Sequence, residues 1–213
     1  FFDSLSEGRD SLYKRKGVFK LIMISSVITM FMGVVQVLSE PMMLSFTDSK
    51  TLGFAETLCA TGMLVMSVII GIVGIKKRHS KVLGISLAMS GVFMIGFASK
   101  ENIVLICIFG ALFFAMLPMA NSSLDYLARV NIPEELQGRA WGFIGFLSQL
   151  GYIPAFALSG VLADGAAKAF DMTVGRGSAL VITVSGVMLV ITSLITLFSK
   201  KIEDLESGKE KPA

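Results

Sequence analysis

Charge is what this sequence is short of. Asp, Glu, Lys and Arg make up 16% of its 213 residues, where a soluble globular domain carries about 25%. Histidine is limited to His79, and cysteine to Cys59 and Cys107. A single histidine excludes the H-E-x-x-H arrangement of a zinc protease and leaves no base for an intramembrane serine nucleophile. Two cysteines inside apolar stretches make neither a disulfide framework nor a metal-ligand spacing, and they read as small packing residues. No G-x-x-x-x-G-K-[ST] run is present to cradle a nucleotide phosphate. The composition therefore calls for no catalytic residue, no metal and no cofactor, and the chain does not read as an enzyme. A net charge of +3 also supplies no basic face for a nucleic acid.

The shortage of charge is uneven. Residues 21–39, 57–75, 82–99, 102–124, 140–163 and 177–199 carry no charged side chain, and the other 87 residues hold all 35. A mostly apolar run of 18 or more residues is a transmembrane helix candidate, because ~20 residues at ~1.5 Å each cross a ~30 Å hydrocarbon core. The alternating ~10-residue strands of an outer-membrane barrel do not fit runs of this length. In lipid, backbone polar groups must be paired within the segment, which makes each run a helix. The reading is an all-α integral membrane protein. A lead-in occupies 1–16, a bundle with spans near 17–39, 57–75, 82–99, 102–124, 140–163 and 177–199 follows, and 200–213 is a mobile polar tail.

Lys and Arg are also unevenly shared between the connections. The lead-in through Lys20, the 76–81 loop, the 125–139 loop and the tail hold 15, and the alternate loops hold 4. Positive residues stay on the cytoplasmic side, which predicts cytoplasmic termini and cytoplasmic 76–81 and 125–139 loops. Six spans put both termini on one side, in agreement with the count.

Polar side chains inside the spans carry the functional information. Ser25, Thr29, Gln36 and Glu40 follow one another at steps of 4, 7 and 4, one face of a helix. Such a stripe faces a cavity or a neighbouring helix. Interhelical hydrogen bonding accounts for Ser25 and Thr29 as readily as a cavity does; the long amide of Gln36 favours the cavity. Ser148, Tyr152 and Ser159 form a similar face in the fifth span, with Gln149 and the helix-bending Pro154 beside it. In the fourth span, Asn121, Asp125 and Arg129 are spaced i, i+4, i+8, so that Asp125 and Arg129 can pair along the surface. Glu56 falls near the outer end of the second span and reads as solvated. Met and Phe are plentiful, at 13 and 16. They are mostly core and lipid-facing, with an adaptable apolar cavity as the sharper alternative.

Several stretches together resemble the C-terminal half of a major facilitator superfamily transporter. GIVGIKKRHSK at 71–81 is similar to a degenerate second copy of the family's G-x-x-x-D-(R/K)-x-G-R-(R/K) loop, without its acidic residue. NIPEELQGRAWG at 131–142 resembles the cytoplasmic start of the family's eleventh helix, and SGVLAD at 159–164 resembles the other end of that helix. The pattern is most like the drug-exporter branch that includes bacterial macrolide efflux proteins.

The resemblance implies half of a twelve-helix fold, built as two three-helix inverted repeats, 17–98 and 102–199. It implies a cavity bordered by the first, second, fourth and fifth spans, with candidates Ser25, Thr29, Gln36, Asn121, Ser148, Gln149 and Tyr152. It implies a cytoplasmic gate drawn from Gly71, Gly74, Lys77, Arg78, Asp125, Arg129, Gly138 and Arg139. The partners it implies are an N-terminal six-helix half, a small-molecule substrate and the lipid bilayer of a bacterial inner membrane. The resemblance leaves the polarity of the sixth span (Thr183, Ser185, Thr192, Ser193, Thr196) unexplained. A six-span membrane scaffold that transports nothing is the alternative.

Overall fold

The computed structural model describes residues 16–206, with side chains excepted at 16, 135, 136, 139 and 140. The expected lead-in thus lies outside the described residues but for its last position, as do residues 207–213 of the tail. The described chain is helical and contains no strand: α1 (Lys16–Leu44), α2 (Ser49–Val73), α3 (His79–Phe97), α4 (Ile103–Asn131), α5 (Glu134–Leu150), α6 (Tyr152–Ala169), α7 (Val174–Leu197) and α8 (Lys200–Glu206). Six spans are long and apolar enough to cross a bilayer, with α5 and α6 sharing one of them, Trp141–Ala169.

The helices outrun the charge-free segments. Lack of charge marks the hydrocarbon core, whereas helix ends are set by capping groups. Asp48 caps α2 by accepting from the Thr51 amide, Asn102 caps α4 by accepting from Val104 and Leu105, and Thr173 caps α7 by accepting from Arg176. At 29 residues, α1 is ~43 Å long at ~1.5 Å per residue, more than a ~30 Å core needs, so it tilts or projects. The fifth span breaks at Gly151 because Pro154 has no N–H to give Leu150 and its ring crowds that carbonyl. Gly151 turns back instead, its amide donating to the Ser148 carbonyl at 3.1 Å.

Packing reveals the repeat. α1 packs on α6 and α7, α4 packs on α2 and α3, and α3 packs on α7. Exchanging the first three spans with the last three reproduces these contacts, while α6 also packs on α7 with no counterpart of that strength between α2 and α3. Consecutive spans run antiparallel, so spans three apart run in opposite directions and the two repeats are inverted.

Close approach, rather than a hydrophobic drive, holds membrane helices together. Gly62 lies against the Ala111 backbone where α2 crosses α4, and Gly151 lies against Ser26 and Thr29 where α1 crosses the α5–α6 break. Along α3 and α7, Gly91 faces Gly186 and Val190, and Ser193 Oγ donates to the Gly84 carbonyl at 2.8 Å. Four of the five polar residues of the sixth span have a structural explanation here, Ser185 excepted. Thr183, Thr192 and Thr196 donate to the carbonyls four residues back, of Ala179, Met188 and Thr192, so these hydroxyls are satisfied within α7 or across to α3.

The expected mobile tail differs from the structure over residues 200–206. KKIEDLE forms α8, which packs on α1, α3 and α4. Ile202 and Leu205, three residues apart and so on one face, are both 0% exposed. Ser80 Oγ donates to Glu206 Oε2 at 2.7 Å, and Asn131 Nδ2 donates to the Leu205 carbonyl at 2.8 Å. A high charge content concealed two apolar side chains in the one register that buries both.

Candidate functional site

A cavity of about 220 Å³ opens between the spans, in the half of the bundle nearer the 45–48 turn. It exists because α1 and α2 touch only thinly, while each is held elsewhere, α2 on α4 and α1 on α6 and α7. Its wall is largely apolar, with Met32, Met43, Phe97 and Phe114, and four polar side chains converge on it: Gln36, Ser39, Glu56 and Tyr152. Gly33 makes room for Tyr152, because a side chain at 33 would collide with that ring and with Ala155.

The sequence candidates divide between this cavity and the helix contacts. Gln36 and Tyr152 line the cavity. Ser25, Thr29 and Ser148 are brought together elsewhere, in the seam between α1 and the end of α5. Ser25 Oγ and Ser148 Oγ share a hydrogen bond of 2.7 Å, Thr29 Oγ1 donates to the Ser148 carbonyl, and Ser26 Oγ donates to the Leu147 carbonyl at 2.6 Å. These bonds tie α1 to carbonyls at the α5–α6 break, where the Ser148 carbonyl also accepts from the Gly151 amide. Ser159 donates to its own helix at Ala155. Gln149 and Asn121 are exposed and do not line the cavity.

Glu56 is exposed, as the sequence reading expected, and it also lines the cavity, a role that reading did not assign. It lies seven residues past the start of α2 at Ser49, about 10 Å along the helix axis at ~1.5 Å per residue. A signal was available: an acidic residue inside an apolar helix faces a protein interior or a water-filled space. Reading the span as starting at 57 hid it, because α2 begins eight residues earlier.

The opposite end of the bundle carries the gate candidates. Gly74 ends α2 at φ 68° and ψ 161°, a conformation in which a side chain is strained, and Arg78 follows at φ 60° before α3 begins. This folds 74–78 into a sharp turn that leaves Lys77 and Arg78 exposed. Gly71 and Gly138 have open space around them. Asp125 and Arg129 are exposed one turn apart on α4. The sequence expectation of an ion pair between them is corrected: among the described residues the pair that closes is Arg176 with Glu101, at 2.7 Å, at the other end of the bundle. Arg139 falls in α5, with its side chain outside the described residues. At this same end, the buried His79 ring stacks on Tyr126 with centroids 3.7 Å apart.

Neither the curated proteins nor the solved structures contain a match to this chain. The family model described as Major Facilitator Superfamily matches residues 21–213. With six apolar spans packed in two inverted repeats beside a largely apolar cavity, this multi-pass membrane protein belongs to the Major Facilitator Superfamily, a family of membrane transporters.

Proposed function

We propose that the chain is the C-terminal half of a secondary transporter that exports amphipathic drugs or related small molecules by alternating access, driven by an ion gradient. The observation that carries this reading is the cavity: apolar and thioether walls suit a varied amphipathic cargo, and Gln36, Ser39, Glu56 and Tyr152 orient it. Its volume of about 220 Å³ is below the ~300–1,000 Å³ of drug-sized pockets, as expected when a second half supplies the facing wall. The partner is an N-terminal six-helix half, seated over the spans that border the cavity. The membrane is a bacterial inner membrane, with the 74–78 turn, the 131–133 connection and both termini in the cytoplasm, following the charge bias of the loops.

The test is transport by the protein at its natural length. Inside-out vesicles are given a fluorescent amphipathic dye in the surrounding medium, an ion gradient is imposed, and then it is collapsed with an ionophore. Gradient-dependent accumulation that Gln36→Ala alters in substrate preference, at unchanged expression, supports the reading. Absence of accumulation across a chemically varied dye set favours a scaffold that transports nothing.

A further inference from the structure

We infer that Glu56 makes the cavity selective for cargo bearing a positive charge, so that the molecules handled are organic cations with aromatic or apolar bodies. This rests on the transport reading above and adds the charge of the cargo to it. Among the described residues, Glu56 is the single charged side chain in the cavity wall, and no Lys or Arg lines it. Glu40, one turn from Gln36 on α1, adds a second negative charge at the exposed margin of the same helix face. The basic residue nearest in sequence, Lys50, sits in the exposed first turn of α2. Arg176, near the same end of the bundle, is already engaged by Glu101.

The remainder of the wall favours an organic cation over a metal ion. Phe97, Phe114 and Tyr152 offer ring faces that attract a cation, and Met32 and Met43 are soft, adaptable surfaces. A hard inorganic cation asks for about six oxygen ligands. Here the polar side chains are one carboxylate, one amide, one hydroxyl and one phenol. Glu56 stands at the edge of the charge-free run 57–75, and among the described lining residues no side chain supplies its counter-charge. A cationic cargo supplies that counter-charge and leaves with it.

Tetraphenylphosphonium and tetraphenylborate test this directly, because they match in shape and differ in sign. Their binding is measured on the natural-length protein in lipid discs and corrected for partition into protein-free discs. The cation is expected to bind at least about tenfold more tightly than the anion, in line with a charge-assisted contact. Glu56→Gln is expected to weaken the cation about ten- to hundredfold and leave the anion unchanged or tighter, while Glu56→Asp retains the preference. Exchanging sodium for potassium is expected to leave cation binding unaffected. Equal binding of both ions, or preference for the borate, by the unaltered protein overturns the inference whether or not the Gln variant folds. Competition by sodium overturns it in favour of a metal-ion site. Sign-selective binding without gradient-driven movement supports the charge inference and retires the transport reading, whereas transport blind to sign does the reverse.

Discussion

Replacing Leu205 by alanine tests whether α8 is a docked part of the bundle. The leucine is 0% exposed, so the change removes three buried carbons. At ~0.8 kcal/mol per buried CH₂ the transfer loss is about 2.4 kcal/mol, and the cavity left behind brings the total to ~2–5 kcal/mol. The loss is not spread over the bundle. α8 has seven residues and follows α7 by a short turn, so it opens on its own when docking weakens. A 3 kcal/mol loss raises the open population by roughly a hundredfold. The assay is hydrogen exchange of residues 202–206, read by mass spectrometry on the protein in lipid discs. The amides of Ile202 and Glu203, which donate to the Ser199 carbonyl at 3.0 and 3.2 Å, are expected to exchange faster in proportion, and those of α3 and α4 to hold. Exchange of α8 that stays within about threefold of the unaltered protein would falsify the docking argument.

Four further outcomes follow from the same structure. A single cysteine at Lys77 is expected to react only from the cytoplasm and one at Ser49 only from outside; the reverse pattern in intact cells refutes the orientation. A double-mutant cycle on Ser25→Ala and Ser148→Ala is expected to show coupling of about 0.6 kcal/mol, with ~1.7 as an upper bound for such bonds in membrane proteins; additive single effects would show that the hydroxyls do not meet. Asp48 lies outside the spans, and its carboxyl is held below its ordinary value by hydrogen bonds from Thr51. Because the folded state favours the charged form, this cap stabilises α2 above pH 3.8, the ordinary value, and the benefit is lost as pH falls through the lower folded value. Asp48→Asn, which caps without titrating, is expected to remove that acid dependence from the exchange of the first turn of α2. Arg139→Ala, at the cytoplasmic gate proposed above, is expected to slow transport more than it weakens substrate binding; full activity at normal expression counts against the gate.

The cavity residues show where sequence reasoning reached and where it stopped. Gln36 stood out because a long amide is hard to hide in lipid, and the cavity is where it lies. Ser25, Thr29 and Ser148 carried the same periodic signal, yet a short hydroxyl is satisfied equally by a neighbouring carbonyl. Only the crossing of α1 over the break at Gly151 put carbonyls within its reach. Glu56 was visible as a charge but not as a wall residue, because the capping of α2 at Asp48, not the edge of the charge-free run, sets where that helix begins.

What the sequence determined alone follows from the solvent. Hydrocarbon requires that backbone groups be paired locally and that charges stay outside it, so apolar runs are enough to specify helices and the number of spans. Which helices touch is a different matter, because the lipid-facing and the packed faces of the spans are both largely apolar and the hydrophobic pattern no longer points to a core. Tertiary structure decided that through steric fit: glycine against backbone at Gly62 and Gly151, Gly91 against Gly186. The same fit left α1 and α2 apart, and the space between them is the cavity.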